Sequence, residues 1–290
     1  VGAKVKTTLL IDADIIAFKY ASTNEKKFDW GDGVVSKEVT EDIGKIAKEI
    51  DDCLKDYLEV TKADDLIICL SDDTINWRNK VLPSYKQHRK TPDGISSRPE
   101  WLYPLKEHLA KTYPSYRKPT LEADDIMGIL STHPKLIPGK KIIVSEDKDM
   151  KTIPGWLWNP RKDRKPWFVT PEVADYWHLL QTLMGDTTDG YKGCPGVGLE
   201  TADDVLKNPY LLVPYEHIMK SGKRKGEVEI RYRKESTSNL WDAVVSQYNF
   251  KGLSEKDALT QARVARICRH TDYNFTTQEP IYWTPNKLNQ

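Results

Sequence analysis

Three short apolar runs, rich in β-branched residues, punctuate the first half of the chain: Thr7 to Ile11 (TTLLI), Leu66 to Leu70 (LIICL) and Lys141 to Val144 (KIIV). Runs of this length and composition predict buried strands. Between the first two, Ile43, Ile46, Ala47, Ile50, Cys53, Leu54, Tyr57 and Leu58 recur at three- and four-residue spacing, which predicts an amphipathic helix capped by Thr40. Further helices are expected from Ile15, over 100–110, and after Glu122, where Ile126, Met127, Ile129 and Leu130 form the buried side. Residues 24–39 are polar and Gly-containing and predict a loop or irregular insertion. Lys111 to Pro119 is a short strand or connector, and Trp156 to Trp158 a further short strand before the basic turn at 161–165.

Strands separated by helices predict an α/β fold, a mostly parallel sheet flanked by helices. After Pro171 the pattern becomes helical, with Val173, Ala174, Trp177, Leu180, Leu183 and Met184 as one stripe and Ala258 to Arg269 as a last helix. The tail from Thr276 is expected to pack along the surface through Tyr282 and Trp283. The expected division is an α/β domain over 1–170 and a C-terminal helical domain over 171–290, the latter interrupted by a basic insertion at about 210–239.

A chain of 290 residues with 30% charged and 10% aromatic side chains can bury a large core and is not disordered. The net charge of +1 excludes a uniformly basic coat but not local separation of acid and base. Cys53, Cys69, Cys194 and Cys268 show no CxxC spacing, so they are expected to be reduced and structural in a cytoplasmic protein. No run reaches membrane-spanning length, and no signal-peptide apolar region stands at the start.

Chemistry enters where the strands end. Asp12, Asp72 and Asp147 each follow a predicted strand, and Glu122, Asp124 and Asp125 crowd the start of a predicted helix. In open α/β sheets ligands bind beyond the carboxyl ends of the strands. The helix segment alone also suits a solvated N-terminus, where acids are favourable. Four acidic sites converging on one rim instead point to a divalent cation, since like charges repel and carboxylate oxygens suit Mg²⁺.

Residues 74–99 carry Arg78, Lys80, Lys86, His88, Arg89, Lys90 and Arg98 against the single acid Asp93, with Trp77 and Tyr85 interleaved. That mixture suits a phosphate backbone with a base to stack on, or an ordinary solvated surface. Residues 220–234 hold Lys220, Lys223, Arg224, Lys225, Arg231, Arg233 and Lys234 against Glu227 and Glu229, as a mobile loop or hairpin arm that either touches nucleic acid or keeps the surface soluble. The turn at Gly193, Gly196 and Gly198 exposes backbone N–H groups ahead of a helix, a weak phosphate signal that is neither a P-loop nor a dinucleotide fingerprint.

The ordered motifs Asp12, Asp72, Glu122-Ala-Asp124-Asp125, Asp147 with Asp149, and Met184 to Asp189 followed by the glycine turn resemble the 5′-nuclease (flap endonuclease-like) superfamily, whose core is PIN-like. Asp73 to Arg78 (DTINWR), Tyr85-Lys86, Asp186 to Tyr191 (DTTDGY) and Ser221-Gly222-Lys223 are similar to its phage exonuclease branch. The resemblance implies that Asp12, Asp72, Glu122, Asp124 and Asp125 hold the tighter of two Mg²⁺ ions, for which Mn²⁺ substitutes. It implies that Asp147, Asp149, Asp186 and Asp189 complete the second. Lys86 and Arg89 match the basic pair of the arch or gateway that grips the scissile phosphate, and Gly193 to Gly198 the helix–hairpin–helix-like turn that holds duplex, often with K⁺.

Arg78, Tyr85, Gly193, Gly196, Gly198, Lys223, Arg224 and Lys225 are the candidate DNA contacts. No histidine among His88, His108, His133, His178, His217 and His270 forms HExxH or a zinc-like pair, so carboxylates alone fit two-metal hydrolysis. The leading expectation is a 5′→3′ exonuclease on double-stranded DNA and RNA–DNA hybrids, serving phage replication, primer removal and host DNA breakdown alongside phage replication proteins. The alternatives are a structure-selective flap endonuclease, a PIN-like ribonuclease, and a non-catalytic DNA-binding accessory; oligomeric state is open.

Overall fold

The computed structural model describes residues 5–29, 35–39, 42–89 and 98–288. The chain forms two compact units. Unit one takes Val1–Pro83, Gln87–Ala174 and Ile267–Tyr282, and unit two takes Ser84–Lys86, Asp175–Arg266 and Trp283–Gln290.

In unit one, β1 (Thr7–Asp12) leads into α1 (Ala13–Thr23), the strands β2 (Glu25–Asp29) and β3 (Val35–Val39), and α2 (Ile43–Thr61). Then come β4 (Asp65–Leu70), α3 (Arg78–Val81), α4 (Leu102–Thr112), β5 (Ser115–Arg117), α5 (Ala123–Thr132), β6 (Lys140–Val144), β7 (Gly155–Trp158) and β8 (Trp167–Val169). The sheet runs β5-β4-β1-β6-β7-β8, parallel throughout except for β8 on β7.

The apolar runs are strands because both faces of the sheet are covered. Leu9, Ile11, Ile68, Leu70, Ile142 and Val144 pack one way with Ile46, Ile50, Leu54, Leu105 and Leu109 from α2 and α4. Leu10, Cys69 and Ile143, alternating with them, pack the other way with Ile126, Met127, Ile129 and Leu130 from α5. All four cysteines are free.

Three expectations change. Residues 24–39 contain the antiparallel pair β2–β3, in register from Glu25↔Val39 to Asp29↔Val35; charged side chains along both strands hid the alternation. The expected cap Thr40 lies outside the described residues, and α2 is capped by Asp42, whose carboxylate accepts from Gly44 N at 2.9 Å. Trp283 is a core residue of unit two, 1% exposed, whereas Tyr282 does stack on Trp77 in unit one at 5.8 Å.

Unit two holds most of α6 (Pro171–Met184), then α7 (Leu199–Lys207), the strands β9 (Tyr210–Ile218) and β10 (Val228–Ser236), α8 (Leu240–Phe250) and α9 (Glu255–Ala265). The basic insertion is thus an antiparallel ribbon, paired from Tyr210↔Ser236 to Ile218↔Val228. The last helix ends at Ala265, and residues 267–282 return to unit one. There Gly128 of α5 passes so close that a Cβ on it would stand 2.2 Å from the Cys268 carbonyl oxygen. No helix among the described residues is long and apolar enough to cross a membrane.

Candidate active site

The parallel register carries the ends of β1, β4 and β6 to one edge, with Asp12 level with Cys69 and Ile11 with Val144. Asp12 is 2% exposed and caps α1, accepting from Ile15 N at 3.2 Å and from the Ser145 hydroxyl at 2.7 Å. Ser145 also accepts from Asp147 N at 3.1 Å, linking the edges of β1 and β6 through one buried hydroxyl. Asp147 in turn caps a 3-10 turn, Lys148–Thr152, by accepting from Asp149 N at 2.8 Å.

Burial, reinforced by the Asp14 and Asp147 carboxylates, pushes Asp12 up to about 7 despite the bonds from Ser145 and Ile15. Burial likewise raises the Cys69 thiol, and Asp12, Asp14 and Asp124 push it the same way. Asp12, Asp14, Asp124 and Asp147 therefore crowd one edge as like charges.

Asp72 sits beside them after β4. Burial alone would raise it, but bonds from the Thr74 hydroxyl and the N–H groups of Thr120, Thr74 and Ile75 outweigh burial and hold it below the usual carboxylate range. Asp72 N donates to Leu121 O and Ala123 N to the Ser71 hydroxyl, which tie the end of β4 to the start of α5.

Two expected roles are corrected here. Asp125 is fully buried, and its oxygens accept from both terminal nitrogens of Arg78 at 2.8 Å, from Trp77 Nε1 at 2.9 Å and from Cys268 N at 3.0 Å. A carboxylate engaged this fully is a structural anchor and not an open ligand. Arg78, expected to contact DNA, is 2% exposed and forks onto Asp125 while also donating to Glu122 at 2.9 Å. Its guanidinium is spent inside unit one.

Lys106 is a residue that the sequence reading missed. It is 3% exposed and reaches both Asp73 oxygens at 2.7 Å and Asp14 at 2.9 Å. Its position beside Leu102, Leu105 and Leu109 on the buried stripe of α4 was the available signal. Ser145 had no such signal beyond its place at a strand end. Glu146 pairs with Lys19 at 2.9 Å and Arg161 at 3.3 Å, outward of the acidic edge.

In unit two, Asp186 accepts from Thr188 N at 2.7 Å and Asp189 N at 3.2 Å, and a backbone bridge to Tyr191 closes the loop. Ser84–Lys86 packs with this loop. Tyr85, expected to stack on a base, is instead 3% exposed, and its hydroxyl donates to Asp189 at 3.0 Å. Lys86 lies at φ 54, donates its backbone N–H to the Asp189 carbonyl at 2.9 Å and places Nζ 3.5 Å from the Asp189 carboxylate. Arg89 is exposed in a 3-10 turn of unit one. Lys90 and Asp93 lie outside the described residues.

The glycine turn divides by role. At Gly193 (φ +65) a Cβ would fall 2.3 Å from Gly185 N, so this glycine permits a backbone crossing. Gly196 (φ +72) has only Lys251 Nζ nearby at 3.6 Å, and Gly198, the N-cap residue of α7, has nothing within 4 Å. Lys223, Arg224 and Lys225 stand exposed at the ribbon turn.

The comparisons with known proteins bear on this arrangement directly. The family model of the 5′-3′ exonuclease N-terminal resolvase-like domain matches residues 7–154, just over half of the chain. The chain belongs to the 5′-3′ exonuclease family. The expectation drawn from the ordered acids is borne out, and so is that of a hydrolytic nuclease.

Within the family the chain is 35% identical to the exonuclease of Escherichia phage T7 and 34% to the exodeoxyribonuclease of Enterobacteria phage T3, each over 98% of this chain and 95% of the relative. The phage T5 D15 protein, co-crystallised with metal ions, shares the fold at 14% identity and a TM-score of 0.55, over 90% of this chain and 89% of that one. The α/β core with a C-terminal helical region is the 5′-nuclease fold.

Donor chemistry at the edge fits a hard divalent ion: buried or half-buried carboxylates whose like charges already oppose ionisation of Asp12. Among the described residues, no three His, Cys, Asp or Glu side chains gather closely enough to hold an ion by themselves.

Proposed function

We propose that this chain is a divalent-metal-dependent 5′→3′ exonuclease on double-stranded DNA that also removes RNA from hybrids, in phage-type replication, primer removal and host DNA breakdown. The observation that carries it is the parallel register that brings the ends of β1, β4 and β6 to one edge, where Ser145 links Asp12 to Asp147 and Thr120 ties Asp72 to the start of α5. Asp12, Asp72, Asp124 and Asp147 would hold Mg²⁺ or Mn²⁺, with Glu122, steadied by Arg78, and Asp149 beside them. Asp186 and Asp189 are proposed as metal-ligating carboxylates of the DTTDGY loop. Bound divalent ions supply an activated water and stabilise charge on the transferring phosphate.

The protein's own part is to orient and to neutralise. Ser145 fixes one oxygen of Asp12, Thr120 and Thr74 fix Asp72, and neither leaves the carboxylate free to rotate. Lys86 and Arg89 are proposed to offset charge on the scissile phosphate, Lys86 exchanging Asp189 for it. Gly196 and Gly198 would admit a sugar-phosphate strand to the backbone N–H groups ahead of α7, with K⁺ as a bridging ion.

Asp124→Asn and Asp147→Asn are expected to abolish cleavage at unchanged circular dichroism. Glu146→Gln, which only releases Lys19 and Arg161, should cleave nearly as wild type. Equal loss in all three variants at equal folded fraction would contradict the assignment.

A further inference from the structure

The ribbon of unit two has no part in the chemistry above, yet its strands are nine residues each. Near its base one face is covered. Tyr210 and Leu212 join the apolar core, Leu212 N donates to Ser246 Oγ at 2.7 Å, and the Tyr232 ring meets Phe250 edge-on at 4.7 Å. Further out the same face is bare. Alternation places Ile230, Val228 and Ile218 beyond Tyr232 on that face, 58%, 55% and 59% exposed, with the exposed Glu216 opposite Ile230 as the one acid among them.

The opposite face compensates its own charge, because Arg231 pairs with Glu229 and Arg233 with Glu235. The turn does not. It is folded by its own backbone, with Gly226 N donating to Met219 O, Met219 N to Glu227 O, and Gly222 and Gly226 at positive φ. Arg224 is held by Glu227 and Glu229, but Lys220, Lys223 and Lys225 have no ion-pair partner among the described residues.

We propose that this ribbon is a duplex-gripping arm: Lys220, Lys223 and Lys225 clasp phosphates while the Ile218, Val228 and Ile230 face lies in a groove. This rests on the exonuclease reading and adds to it a second contact region, distinct from the glycine turn. A two-stranded ribbon is one of the two elements that the major groove of B-DNA admits. Apolar side chains between basic ones match a groove floor flanked by phosphates. A second copy of the chain is a poorer occupant. An isologous contact that set the two ribbons parallel would gather the like-charged turns into one patch, and one that set them antiparallel would leave the lysines without a counter-charge.

The test measures duplex affinity by fluorescence anisotropy over a range of salt concentrations. It uses the full chain in EDTA and a blunt duplex of three helical turns. Each phosphate neutralised contributes about 0.9 to the slope of log affinity against log salt, so Lys220→Gln/Lys223→Gln/Lys225→Gln should flatten the slope by about 2–3. Ile218→Thr/Ile230→Thr should weaken binding several-fold at unchanged slope. All five positions are exposed, and matched thermal melts guard against loss of fold.

A triple variant with the wild-type slope would overturn the arm. So would a wild-type dimer in sedimentation that the isoleucine variant returns to monomer. A wild-type chain that binds no duplex at all would instead overturn the exonuclease reading itself.

Discussion

Arg78 shows how one buried side chain decides the meaning of its neighbours. It ties α3 to α5 through a fork on Asp125 and a third bond to Glu122, and Trp77 Nε1 adds a further bond to the Asp125 carboxylate. Breaking a buried pair leaves an uncompensated charge, which costs about 3–5 kcal/mol. Arg78→Met should therefore lower the denaturation midpoint sharply, as Asp125→Asn should. An unchanged midpoint with weakened DNA binding would return Arg78 to the role its sequence context suggested.

Asp12 gives a second residue-level expectation. Its folded value of about 7 lies above the ordinary carboxylate value of 3.8, so between those limits the folded protein holds a proton that the unfolded chain releases. Stability of metal-free protein from this group is complete at low pH and falls as pH rises through that window. Asp12→Asn should flatten that fall, as followed by denaturant midpoints from pH 4 to 7.5 in chelator. The same slope in both proteins would contradict the assigned burial.

At the scale of elements, the glycine turn separates architecture from contact. Gly193→Ala should destabilise, because its Cβ meets Gly185 backbone and its φ is +65. Gly198→Ser sits in ordinary extended backbone with open space and keeps a good N-cap for α7, so it should not lower the thermal melt and should raise the Kd for duplex. A lowered melt with unchanged Kd would make Gly198 architecture as well.

The central strands were legible because a parallel sheet buried on both faces demands continuous apolar runs. The β2–β3 pair was not, since charged residues at successive positions of EKKFD and VSKEV give no clean alternation, whereas the β9–β10 ribbon was foreseen only as a loop or hairpin arm. The acidic edge was legible from the strand ends. What separates Asp124 from Asp125 was not, because adjacent helix positions point about 100° apart and the partner that claims Asp125 lies 47 residues away. The partners of Lys106, though not its burial, were hidden for the same reason, its carboxylates arriving from other elements.

For the whole molecule, the chain crosses between units four times besides the one boundary that local periodicity suggested. Ser84–Lys86 joins unit two, and residues 267–282 return to unit one after α9. That return supplies the Cys268 N–H to Asp125 and is why Gly128 tolerates no side chain.

The most direct measurement is digestion of one duplex labelled separately at each 5′ and 3′ end, with and without a single-stranded 5′ flap, in Mg²⁺ and in EDTA. The expected result is early release of the 5′ label as short 5′-phosphorylated products, late loss of the 3′ label, and no cleavage in EDTA. Release of intact flaps ahead of any blunt-end digestion would favour the flap endonuclease. Loss of the 3′ label first, or undiminished cleavage in EDTA, would contradict a metal-dependent 5′→3′ exonuclease.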